Sequence, residues 1–203
     1  MKPFFSIIIP AYNSAAWIHT GLDSIKNQTF TDYEIIVICD DCYDNTAEIA
    51  RKYTDKVFEV KYHNCGKTRN IGLEHVSGQW ILFMDDDDWW ITDQAFQILY
   101  DNIIKEQEEF DILVFDFMIG LIRQAKQSPY QLYFATWNKA WRYDYVKHMR
   151  FPELPYGDDV QFHKQAIKTG RMKFITDVLY YYNYPRSGSI TDQIEKGILE
   201  PLC

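Results

Sequence analysis

Trp80-Ile81-Leu82-Phe83-Met84-Asp85-Asp86-Asp87-Asp88 is the stretch that decides the fold. Its first five residues are apolar without a break. A strand with one wet face would alternate, so this one reads as buried on both faces, like a strand of a helix-covered parallel sheet. Four aspartates follow with no spacer. Ligands of open α/β sheets bind beyond the carboxyl ends of the strands, so the four acids stand where a ligand would.

Outward from there the pattern repeats. Upstream, Phe4-Phe5-Ser6-Ile7-Ile8-Ile9 is a buried strand that Pro10 is expected to end, and Tyr33-Glu34-Ile35-Ile36-Val37-Ile38-Cys39 is another, with a short one at 57–60. Helices are predicted between them. One covers 15–28, capped by Asn13 or Ser14, with Trp17, Ile18, Leu22 and Ile25 on its buried face. One opens at Asp44-Asn45-Thr46 and runs to about residue 53, and one covers 67–76, stopped by Ser77-Gly78. Downstream come a helix over 94–105 and a strand over 111–117. The rest is less regular: a short helix at 144–148, a stronger one at 158–168, a Tyr-rich strand at 173–182, and a last dozen residues forming a helix or a frayed tail. Strand and helix alternating with short links predict an α/β fold, a mostly parallel Rossmann-like sheet flanked by helices. The 203 residues suit a single domain, 1–203, without repeat, linker or low-complexity stretch.

Composition narrows the function. A net charge of -8 speaks against a general nucleic-acid binder, which carries a basic stripe, yet admits a nucleotide held through a divalent cation. No secretory signal or transmembrane segment is expected, because the apolar run after Met1-Lys2-Pro3 is too short to span a bilayer. Aromatics reach 17%, and a surplus of Trp and Tyr suits stacking on a base or a sugar ring. For Trp89, Trp90, Trp137 and Trp141, core packing competes with a role as platform for an acceptor sugar. Cys39 and Cys42 form a C-x-x-C pair, with His63 and Cys65 further on. A zinc or redox site and plain free thiols are both open, although H-x-C is a poor match to zinc spacings.

Three predicted strands bring polar residues to one rim: Pro10-Ala11-Tyr12-Asn13, Asp40-Asp41, and the four aspartates from Asp85 to Asp88. Carboxylates converging there would repel and raise one another's pKa. A hard cation relieves this, and oxygen ligands suit Mg²⁺ or Mn²⁺, with open positions filled by substrate phosphates. A solvated acidic turn capping the next helix is the plainer reading, and it accounts poorly for four acids directly after so apolar a strand. Asp40 and Asp41 can accept the ring N–H of uracil or the amino-imino edge of guanine with Tyr12 flanking the base, or one of them can cap the following helix. Arg69, Lys139 and Arg186 are cations able to reach phosphate. Lys139 also suits a structural role, and Arg186, in the loop 185–189, suits a solvated turn equally well.

Taken in order, these segments resemble the family 2 glycosyltransferases, inverting enzymes of the GT-A fold. Ser6-Ile7-Ile8-Ile9-Pro10-Ala11-Tyr12-Asn13 is similar to the family's opening strand and loop, and Ser24-Ile25-Lys26-Asn27-Gln28-Thr29-Phe30 to its helix-to-strand link. Glu34-Ile35-Ile36-Val37-Ile38-Cys39-Asp40-Asp41 resembles the base-binding strand, and Arg69-Asn70-Ile71-Gly72-Leu73 the helix beside the donor. Asp85 to Asp88 resemble the D-x-D-D metal loop, Trp137-Asn138-Lys139 the segment before the acceptor side, Gly157-Asp158-Asp159 the G-E-D motif, and the stretch from Tyr180 to Thr191 the closing Tyr-rich strand and Ser-Ile-Thr loop. Asp158 stands where the motif has glutamate. The turns after Asp41 and around Asn64 are shorter than the pattern, which leaves the donor base open.

The resemblance implies a nucleotide-diphospho-sugar transferase. Residues 1–117 form its donor half and 118–203 its acceptor half. It would move a sugar from a nucleoside-diphosphate sugar, a UDP-sugar by preference, to an acceptor hydroxyl with inversion. Asp87 with Asp85 would hold Mg²⁺ or Mn²⁺. Asp159 would serve as base, with Asp158 orienting the acceptor. Pro10, Ala11, Tyr12, Asn13, Asp40, Asp41, Arg69, Asp85 and Asp86 would contact the nucleotide sugar. A glycan or lipid-linked sugar is the implied acceptor, in cell-surface polysaccharide synthesis in the cytoplasm or at the inner face of the membrane. Two rivals stand beside it. A degenerate domain would only bind sugar or a partner. A nucleotidyltransferase is disfavoured because no Gly-rich loop follows the first strand.

Overall fold

The computed structural model describes residues 2–106, 109–120, 123–128, 132–184, 186–187 and 189–198. The far end of the expected helical or frayed tail, 199–203, lies outside them, as do Pro185 and Gly188 of the 185–189 loop. Along the chain run β1 (Phe5–Ala11), α1 (Ile18–Lys26), β2 (Tyr33–Asp40), α2 (Thr46–Ala50), β3 (Val57–Val60), α3 (Cys65–Glu74), β4 (Trp80–Phe83), β5 (Trp89–Trp90) and α4 (Ala95–Ile104). β6 (Ile112–Ile119), β7 (Arg123–Ala125), β8 (Lys139–Arg142), α5 (Tyr143–Val146), α6 (Asp158–Ala166), β9 (Met172–Tyr182) and α7 (Ile190–Glu195) follow.

The strands form one sheet ordered β3-β2-β1-β4-β8-β6-β9-β5, with β7 beside β6. β3, β2, β1 and β4 are mutually parallel. β8 enters antiparallel between β4 and β6, β9 runs parallel to β6, and β5 antiparallel to β9. The unbroken apolar strands follow from cover on both faces. Ile7 and Ile9 of β1 join a core with Ile18, Leu22 and Ile25 of α1 and Phe96 and Leu99 of α4. Ile8, between them, joins the opposite core with Leu73 of α3, Val146 of α5 and Phe162 and Ala166 of α6. α3 lies tight on β1: a Cβ at Gly72 would overlap Ile8 Cγ2 and stand 3.1 Å from Ile38 Cδ1.

Several expectations need correcting. Pro10 does not end β1, which continues to Ala11 with Pro10 opposite Ile38. The Met84 N–H donates to the Ile8 carbonyl, so Pro10, two residues on, faces the β4 side, where pairing has stopped at Phe83. No ladder N–H is needed there. α1 starts at Ile18 without a side-chain cap, after a turn in which the Ser14 carbonyl accepts the N–H groups of Trp17 and Ile18. Trp17 precedes the helix, off its 3.6-residue period, and is 45% exposed. α3 starts earlier than expected because the Asn64 side chain caps it, accepting the Lys67 N–H at 2.9 Å. β5, β7 and β8 were not foreseen: strands of two to four residues carry no periodicity, and β5 and β8 exist through partners distant in sequence, while β7 pairs with the preceding strand β6.

Candidate active site

β4 delivers the aspartates to the rim, where the Asp88 N–H donates to the Asp85 carbonyl at 3.2 Å and folds them into a turn. The four side chains then part. Asp88 is fully buried and accepts from the Tyr180 hydroxyl at 2.7 Å and the Asn183 N–H at 2.8 Å. Burial pushes its carboxyl well above the usual carboxylate range, with the charges of Asp85 and Asp87 adding to the effect. The Asp85 N–H donates to the same Tyr180 hydroxyl at 3.2 Å, so one phenol pins both ends of the turn and Asp88 is a strut. Asp86 accepts the Tyr12 N–H at 3.0 Å, and burial, then its neighbour Asp87, raise its pKa to about 7. Asp87 is paired with Arg186; burial still raises its pKa against that positive charge. Asp85 accepts from Arg69 Nη2 at 3.1 Å.

At the end of β2 the two acids divide their work. Asp40 is 5% exposed and accepts from the N–H groups of Tyr62 (2.6 Å), His63 (3.0 Å) and Asn64 (2.9 Å) and from the Thr68 hydroxyl (2.9 Å). Burial opposes its charge, but these donors outweigh burial and hold its pKa down. Four bonds fill a carboxylate's acceptor sites, so Asp40, expected at the base, instead builds the turn into α3. Asp41, in the left-handed region at φ 53°, turns to the rim, 3.1 Å from both Lys61 Nζ and His63 Nε2. Tyr12, 54% exposed, stands 6.5 Å from the Tyr43 ring and 6.3 Å from that of His63. Pro10 and Ala11 are buried within β1, and Asn13 Oδ1 accepts the Tyr43 N–H at 2.9 Å.

α3 carries Arg69 inward, with 7% of its side chain exposed. Its Nη1 donates to Asp158 Oδ2 at 2.6 Å and its Nη2 to Asp85, over the Phe151 ring at 5.6 Å. Arg69, expected to reach phosphate, is thus committed to two carboxylates. Asp158, expected to orient the acceptor, is buried at the other end of that tie. Gly157 adopts φ 73°, which side chains rarely do, and starts α6. Asp159 follows, only partly covered. Burial lifts its pKa to about 6, Arg69 opposing and Asp158 and Asp85 assisting. A carboxylate poised there can take a proton near neutral pH.

Among the described residues no three His, Cys, Asp or Glu side chains converge to hold a metal ion. Cys39, Cys42 and Cys65 are free thiols. The acid turn fits a cation differently: Asp85 and Asp87 are hard oxygen donors at a rim of surplus negative charge, and Mg²⁺ commonly binds through one or two carboxylates, completing its shell with phosphate and water. Trp90, Trp137 and Trp141 are core, at 3%, 4% and 0% exposed, and Trp89 stacks on Tyr181 at 4.0 Å. Sequence reasoning missed Tyr43 and His63 at the rim and Asn183 behind Asp88. No local signal marks these, since each gains its place through a contact distant in sequence.

The model of Glycosyl transferase family 2 matches residues 6–173. EpsH of Bacillus subtilis is 28% identical over 98% of this chain and 65% of its own length. The crystal structure of residues 1–349 of Staphylococcus aureus TarS, in complex with UDP-GlcNAc, superposes with a TM-score of 0.81 at 26% identity, over 92% of this chain and 60% of that one. The mannosyltransferase PcManGT of Pyrobaculum calidifontis, solved with GDP-Man and Mn²⁺, shares the fold with a TM-score of 0.74 at 18% identity, over 97% and 61%. The chain therefore spans less than two thirds of each of these relatives. None of its described helices is long and apolar enough to cross a membrane.

Proposed function

The chain belongs to glycosyl transferase family 2, and from that premise we propose that it moves a sugar from a nucleoside-diphosphate sugar to an acceptor hydroxyl with inversion at the anomeric carbon. One observation carries the reading: Arg69 binds Asp158 and Asp85 together, so the start of α6 and the acid turn form one site although 73 residues separate the two acids, 85 to 158. Asp159, beside that tie, takes the proton of the acceptor hydroxyl as its oxygen bonds to the anomeric carbon. The bond to the diphosphate breaks on the opposite face, and the diphosphate leaves with the electron pair. Mg²⁺ or Mn²⁺, held through Asp87 and Asp85, would supply charge neutralisation at the departing diphosphate.

Arg69 and Asp158 are positioning residues in this reading. Asp41 faces the base, with Tyr12 and Tyr43 flanking it. A carboxylate can accept the ring N–H of uracil, and a UDP-sugar is favoured over a guanine nucleotide because TarS binds UDP-GlcNAc. The acceptor is a glycan in cell-surface polysaccharide synthesis. Calorimetry with UDP, GDP and CDP, with and without Mn²⁺, tests the donor side. UDP should bind best and only with metal, and Asp87→Ala should lose the metal dependence. Undiminished metal dependence in that variant would displace the site. Hydrolysis of UDP-sugars by the wild type separates an active enzyme from a binding domain.

A further inference from the structure

Residues 132–139 contain one cation, Lys139, and it is fully buried. Its Nζ donates to the Tyr133 carbonyl at 2.8 Å, the Ala135 carbonyl at 2.7 Å and Asn138 Oδ1 at 2.5 Å. All three acceptors are neutral oxygens, and burial drives its pKa well below the usual lysine range. Burying an amine with no carboxylate in hydrogen-bond contact is costly, and the charge of Asp159 offsets burial only in part. What the molecule gains is a fixed backbone at 133–135. A second set of bonds holds the same point: the Tyr133 N–H donates to Gln127 Oε1 at 2.7 Å, and the Gln127 N–H to Asp116 Oδ1 of β6 at 2.7 Å.

Two side chains on that fixed backbone reach the surface. Tyr133 is 40% exposed and Phe134 41%, in a segment whose other ring, Trp137, is core. Contacts also tie them to both poles of the site. Phe134 touches His163 at 5.0 Å, and His163 sits one helical turn after Asp159, on the same face of α6. Tyr133 packs on Trp137 at 5.6 Å; Trp137 stacks on Tyr180 at 4.9 Å and 11°, and Tyr180 carries the hydroxyl that pins the acid turn.

We infer that Tyr133 and Phe134 form an acceptor subsite that takes the apolar face of a neutral pyranose ring, with Lys139 as the residue that positions them. This rests on the transferase reading above. Two exposed rings linked by contacts to the proton acceptor's helix and to the donor loop suit a ring-shaped sugar, whose C–H face packs on aromatics. An acyclic polyol phosphate would need an exposed cation, and residues 132–139 present none.

Saturation-transfer NMR on the full chain with Mg²⁺ and UDP tests this. The probes are the methyl β-glycopyranosides of glucose, galactose and N-acetylglucosamine, against ribitol 5-phosphate. At least one pyranoside should receive saturation at its ring protons. Tyr133→Ala and Phe134→Ala should each weaken it about tenfold or more, while Phe134→Tyr retains it. Both side chains are exposed, and unchanged UDP calorimetry on the same samples shows the variants folded. Binding of ribitol 5-phosphate alone, or pyranoside binding that ignores both alanine variants, overturns the subsite. UDP binding without any pyranoside binding does the same and leaves the transferase reading intact. Pyranoside binding through Tyr133 and Phe134 in a chain that binds no UDP keeps the subsite and removes the transferase reading.

Discussion

Four identical side chains in the acid turn acquire four roles from their neighbours. Asp88 is a strut under Tyr180, Asp86 ties in the loop after β1, Asp85 meets Arg69, and Asp87 meets Arg186. Asp158 and Asp159 part in the same way, one locked to Arg69 and the other left near the surface with its pKa raised to about 6. Asp159→Asn keeps the bond that Oδ1 accepts from the Val160 N–H and removes only the proton acceptor. Its turnover should fall by about 10²–10⁴-fold with UDP affinity unchanged. In the wild type, only the ionised carboxylate can accept the proton, so the rate should rise with pH through about 6. A rate–pH profile lacking that acidic limb would move the base elsewhere. The rim acids were legible in the sequence because a solvated helix cap accounts poorly for four acids directly after a buried strand. Which of them face inward was not, since that depends on Tyr180, Asn183, Arg69 and the turn at 62–64, all remote along the chain.

α3 shows how one element couples packing to the site. It carries Arg69 on one side and presses Gly72 against Ile8 and Ile38 on another. Helix propensity alone predicts that Gly72→Ala stabilises by about 1 kcal/mol. Overpacking against β1 costs about 1–3 kcal/mol, and the Ile8 side chain has no space to retreat within a closed core. The net effect should be a lower urea midpoint with an unchanged slope, together with reduced turnover as Arg69 shifts. A higher midpoint would mean that α3 sits further from β1. The long elements were readable because period 3.6 and unbroken apolar runs survive without tertiary context. β8 was not, because Lys139–Arg142 becomes a strand only between β4 and β6.

Across the whole molecule, the crowded rim links stability to pH. Asp86 and Asp159 have pKa values raised from 3.8 to about 7 and about 6, so the folded chain keeps protons the unfolded chain has released. Their contribution is fully present below pH 3.8 and is lost as pH rises through 6 to 7. Asp40 and Asp111, held down by their donors, act oppositely: their contribution is present above the ordinary carboxylate range and lost on acidification. Without divalent cation, Tm should therefore fall from about pH 5 to about pH 8. Added Mn²⁺ should raise Tm more at the higher pH, where the carboxylates are ionised and able to ligate. Equal shifts at both pH values in a thermal melt would place the cation away from the acid turn. By itself the sequence determined the α/β class, the rim of the sheet and the pool of acids there, because burial patterns and charge are properties of neighbouring residues. Tertiary structure alone decided which acids are struts and which stand open at the rim, and which rings reach the surface, because burial and hydrogen-bond partners are set by strands and helices that meet only in the fold.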